Sequence, residues 1–73
     1  MPPHWFVPVK ASDPKGRKKD VETVLTQHGG SLKSFWMTPD QQQLYAVIRV
    51  DQLTHDLLVD IKANGKAIPL EDV

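Results

Sequence analysis

The sequence contains no cysteine. That excludes a disulfide framework, a thiolate-bound zinc and a cysteine nucleophile, and it fits a protein of a reducing, cytoplasmic compartment. Net charge is missing too: nine Lys and Arg balance nine Asp and Glu. Neutrality argues against a general binder of nucleic acid or of charged membrane surfaces. No apolar run approaches the ~20 residues of a membrane span, and the Met-Pro-Pro-His start does not read as a signal peptide. There is no low-complexity stretch and no Ser/Gly linker at which a second domain would begin. One small domain over residues 1–73 is expected.

What is present is enough to fold. Hydrophobic residues make up 40% of the chain, too many for a disordered segment. At this size folding buries only about 60–65% of the surface of the extended chain, so the core is thin. The charges that cancel overall are unevenly placed. Residues 1–36 hold six basic and three acidic residues, and residues 37–73 hold three basic and six acidic. A dipolar domain of this kind can attract a second copy head to tail.

The run His4-Trp5-Phe6-Val7-Pro8-Val9 predicts a strand, whose pairing stops or bulges at Pro8 for want of an amide proton. Ala11 to Arg17 reads as a loop by its Ser-Asp-Pro and Lys-Gly content. From Lys18, residues Val21, Val24, Leu25 and His28 form one stripe of a helix, which Gly29-Gly30 ends. Ser31 to Met37 is a second strand, followed by a turn at Thr38-Pro39-Asp40-Gln41. In Gln43 to Val50 an apolar row of Leu44, Ala46, Ile48 and Val50 alternates with Gln43, Tyr45, Val47 and Arg49. Such a period marks a strand with one buried face. Asp51 offers a cap to a second helix bearing Leu53, Leu57, Leu58 and Ile61, Asn64-Gly65 ends it, and Lys66 to Leu70 is a last short strand.

The order β-α-β-β-α-β predicts an α+β, ferredoxin-like fold: a four-stranded antiparallel sheet, order 4-1-3-2, with both helices on one face. The other face is then bare. It should carry His4 and Phe6 from the first strand, Tyr45, Val47 and Arg49 from the third, and either Phe35 or Trp36 from the second. We take Phe35 as the member of this ligand or dimer face. A face so apolar needs a cover, and a second copy stacked sheet to sheet is the most economical one, with room for a small ligand between the copies.

The remaining motifs point less far. Lys15, Arg17, Lys18 and Lys19 around a helix start form a weak anion-binding loop, without the glycine spacing of a phosphate-binding loop. His4, His28 and His55 lack the spacing of a helical metal site, so no metal and no cofactor are assigned. Pro2 could serve as a terminal amine base in a small isomerase or tautomerase with a dimer-interface pocket. Pro3, however, hinders removal of Met1, and no Arg lies near the start to hold a carboxylate. Phe6 and Tyr45 resemble base-stacking positions of RNA-recognition sheets. The stretch Gln42-Gln43-Leu44-Tyr45-Ala46-Val47 lacks that motif's basic residue, glycine and second aromatic, so nucleic acid is not the expected partner. No Ser/His/Asp triad or carboxylate pair is recognisable, and no catalytic residue is assigned.

Three stretches carry a likeness: Gly29-Gly30-Ser31-Leu32-Lys33-Ser34-Phe35-Trp36, then Tyr45-Ala46-Val47-Ile48-Arg49-Val50, then Ala63-Asn64-Gly65-Lys66 with the closing Pro69-Leu70-Glu71-Asp72-Val73. Together they resemble the small GYD-type proteins of the dimeric α+β barrel group, over most of residues 18–73. Pro39-Asp40-Gln41-Gln42-Gln43 stands where that group has its Gly-Tyr-Asp signature, so no site residue carries over. The resemblance implies a ferredoxin-like homodimer and leaves the activity open. The expectation is a small binding or accessory protein that dimerises through its sheet.

Overall fold

A computed structural model of the chain describes residues 4–10, 13–40 and 42–70. Pro2, Glu71 and Asp72 lie outside the described residues, as do Ala11, Ser12 and Gln41 of the expected loop and turn. The elements run β1 (His4–Val9), α1 (Pro14–Gln27), β2 (Ser31–Met37), β3 (Leu44–Arg49), α2 (His55–Asp60) and β4 (Ile68–Leu70). One antiparallel sheet takes the order β2-β3-β1-β4, the order expected from the sequence.

Alternation places the core. Val7 and Val9 of β1 and Leu44, Ala46 and Ile48 of β3 are buried, together with Val21 and Leu25 of α1 and Leu57 and Ile61 at α2. Both helices therefore cover the same side of the sheet.

Pro8 sits in a central strand because its backbone faces the side that β4 does not reach. β1 pairs with β3 from His4 to Val9, but with β4 only from His4 to Phe6. Beyond that point the Pro8 carbonyl accepts instead from the Asn64 amide at 3.1 Å. The missing Pro8 amide thus interrupts no ladder.

Two strands are shorter than expected, β3 at Leu44–Arg49 and β4 at Ile68–Leu70, and three helix boundaries differ. Helix α1 begins at Pro14, not Lys18, because Asp13-Pro14 is a cap followed by a preset first turn: the Asp13 carboxylate accepts from the Gly16 amide at 3.4 Å. Thr54, not Asp51, caps α2, its hydroxyl accepting from the Leu57 amide at 3.2 Å. Lys62, at φ 58, and not Asn64-Gly65, closes α2. The Lys62 amide donates to the Val59 carbonyl at 3.0 Å and the Ala63 amide to the Leu58 carbonyl at 2.9 Å. The end of α1 has the same double closure, with Gly29 at φ 76, its amide on the Thr26 carbonyl, and the Gly30 amide on the Leu25 carbonyl at 2.7 Å.

Candidate interaction face on the sheet

The register fixes which side chains share the side away from the helices. His4 pairs with Arg49 and Leu70, Phe6 with Val47 and Ile68, and Pro8 with Tyr45. On β2, Ser34 pairs with Val47 and Trp36 with Tyr45. These residues form one surface, and at its centre three rings meet. Phe6 and Tyr45 stack with centroids 5.0 Å apart, and Trp36 closes on Tyr45 at 5.7 Å and on Phe6 at 5.9 Å. Such contacts add roughly 0.5–1.5 kcal/mol per pair beyond burial.

The cluster still leaves apolar surface in water. Trp36 is 41% exposed and Ile68 51% exposed, on either side of the half-buried Phe6, Tyr45 and Val47. Arg49, exposed, and the titratable His4 are the only charge-bearing side chains on these rows, and both stand in the row at one end. The face is an apolar platform with a polar edge.

Phe35, which the sequence reading assigned to this face, belongs to the other one. It pairs with Ala46 and packs against the core, while Trp36 faces outward. A bulge between Leu32 and Ser34 is the cause. One extra residue, Lys33, shifts the alternation, so Leu32, Phe35 and Met37 all face the helices. Ile68 and Trp36 are placed on the face only by the register of β4 and the position of the bulge.

The weak anion loop does not hold together. Arg17 is only 5% exposed. Its guanidinium donates to the Ile61 carbonyl and, through Nε at 3.3 Å, to the Lys10 carbonyl. It clasps the ends of β1 and α2, which removes it from any anion site, while Lys15, Lys18 and Lys19 stay exposed on the first turns of α1. Nor do the three histidines converge. His28 Nε2 lies 3.3 Å from Asp60 Oδ2, His55 opens α2, and His4 is on the sheet. Among the described residues no three or more His, Asp or Glu are grouped as a metal would require.

Two polar features lie elsewhere. An open cavity of about 350 Å³ is lined by His28, Gly29, Val50, Asp51, Gln52 and Thr54, at the junction of α1 with the segment leading to α2. In the β2–β3 turn, the Asp40 carboxylate accepts from the Thr38 hydroxyl and from the Gln42 amide at 3.2 Å. Those bonds, the Thr38 one foremost, hold its carboxyl below the ordinary 3.8.

No known family, curated protein or solved structure matches the chain. The function therefore has to be argued from the face itself. No helix among the described residues is long and apolar enough to cross a membrane.

Proposed function

We propose that this chain is a small, non-catalytic binding or accessory protein of the cytoplasm that homodimerises by stacking its open sheet face on that of a second copy. The observation that carries the reading is the Phe6–Trp36–Tyr45 cluster, continued by Val47 and Ile68, on a side of the sheet that neither α1 nor α2 covers. A two-fold axis through that cluster would set apolar surface against apolar surface and leave Arg49 and His4 at the edges. The resemblance to GYD-type proteins and the ferredoxin-like order of elements support the same assembly.

Area sets the strength expected. Strands of six, seven, six and three residues, at about 3.4 Å per residue and about 4.8 Å apart, present roughly 360 Å². A stable interface takes about 800 Å² from each partner, so contacts at the rims must supply the rest. A small ligand enclosed between the sheets would meet Tyr45 as a polar contact, with Arg49 and His4 within reach only at the rim. Single-stranded nucleic acid fits the face less well, because stacked bases come with a row of phosphates and these rows offer Arg49 and His4 alone.

Sedimentation equilibrium across low to high micromolar concentration tests the reading. A monomer–dimer equilibrium is expected for the wild type and a monomer for Tyr45→Asp. A wild-type monomer throughout would overturn it, and salt-sensitive binding of a labelled single strand would put nucleic acid in its place.

A further inference from the structure

We propose that Asn64 is a site of spontaneous covalent modification, converting through a cyclic imide to aspartate and isoaspartate. It is the one asparagine of the chain, and glycine follows it. Both residues are exposed and lie outside helix and strand. The step needs a nitrogen that is unhindered and free. Gly65 has no side chain to shield its amide, and that amide makes no hydrogen bond among the described residues. The Asn64 amide, by contrast, is engaged by the Pro8 carbonyl at 3.1 Å. Of the two neighbouring amides, the free one is the one that must attack.

The atoms balance with water as the sole co-reactant. The Gly65 nitrogen bonds to the Asn64 side-chain carbon Cγ, and the bond from Cγ to Nδ2 breaks. Ammonia leaves, carrying the proton that the Gly65 nitrogen gives up. Water then opens the imide at one carbonyl to give aspartate, or at the other to give isoaspartate, which routes the backbone through Cβ and Cγ.

The surroundings make this more than a change of one charge. Asn64 Nδ2 donates to Gln43 Oε1 at 3.4 Å, and its Oδ1 accepts from Gln43 Nε2 at 3.2 Å. A carboxylate keeps the second bond and loses the first. Isoaspartate also adds an atom to the backbone directly after the Asn64 amide that Pro8 holds, in a segment where a Cβ on Gly65 would come within 2.7 Å of the Pro8 ring. The lengthened loop cannot keep the Asn64–Pro8 bond and that fit together. Modification should therefore loosen the segment that joins α2 to β4, independently of whether the chain dimerises.

The test is to age the intact chain at mildly alkaline pH, natively and in concentrated urea, and follow the gain of one mass unit. Trypsin, cutting after Lys62 and Lys66, isolates Ala63-Asn64-Gly65-Lys66 for assignment. A native rate within about tenfold of the unfolded rate is expected, a barrier difference under about 1.4 kcal/mol. Asn64→Gln should remove the mass gain. Asn64→Asp should unfold at a higher midpoint than the aged isoaspartate fraction. A native rate more than about tenfold below the unfolded one, a mass gain located outside that peptide, or equal midpoints for those two species would each overturn the proposal.

Discussion

The Arg17 guanidinium donates to the Ile61 carbonyl across 44 residues of sequence. With its second bond to the Lys10 carbonyl, it joins the start of α1 to the ends of β1 and α2. Arg17 also lies 4.0 Å from Asp20, a carboxylate that is largely in water and contributes little to the pair.

Removing this donor should be expensive. Arg17→Met keeps the apolar stem and leaves two backbone carbonyls without their partner, at a cost of about 2–3 kcal/mol. Urea unfolding should show a lower midpoint at unchanged slope. Arg17→Lys should recover only part, since an ammonium lacks the planar fork that reaches both oxygens. A midpoint unchanged by Arg17→Met would contradict the clasp.

The proposed stacking through the sheet would make stability depend on concentration. The melting temperature should rise with protein concentration, because the dimer draws the folded state by mass action. Ile68→Lys places a charge on the platform at an edge strand, where the fold tolerates it, and should weaken association by about 1.5–3 kcal/mol, or at least about tenfold. Sedimentation and the melting curve should report the same loss.

Lys62 holds a left-handed backbone that costs an ordinary residue roughly 1–2 kcal/mol. Lys62→Gly should therefore stabilise the protein, by about 0.5–1 kcal/mol after the extra freedom of glycine in the unfolded chain is deducted. Chemical denaturation decides the sign.

Gly30 answers to a different constraint. Its φ is unexceptional, but a Cβ there would lie 2.6 Å from the Arg49 carbonyl oxygen and 3.2 Å from Val50 Cβ. Gly30→Ala should cost about 1–3 kcal/mol through forced displacement of β2 from the end of β3. A neutral result would mean that the two segments are not in close contact.

Asp40 contributes to stability in one pH direction. Its folded carboxyl is held below the unfolded value of 3.8. The stabilisation is therefore present above 3.8 and is lost as pH falls through the lower folded value. The group is fully in water and the effect is small. Asp40→Asn should narrow the gap between stability at neutral and at strongly acidic pH, as read by thermal melts.

The element order, the strand order and the inward row Leu44, Ala46 and Ile48 were legible from local pattern, since period two and the glycine closure of α1 depend only on near neighbours. The cap at Asp13-Pro14 was also written in the chain, although the basic Lys-Gly stretch beside it reads as loop. By contrast, three things had no local signature: the bulge at Lys33 that sends Trp36 outward in place of Phe35, the use of Lys62 as a helix stop, and the burial of Arg17.

Composition and periodicity by themselves determined that this is one α+β layer with a bare side, because alternation along a strand follows from backbone geometry alone. Which side chains occupy that bare side was decided only in the tertiary structure. There, strand register depends on long-range packing, and one inserted residue turns every later side chain to the opposite face.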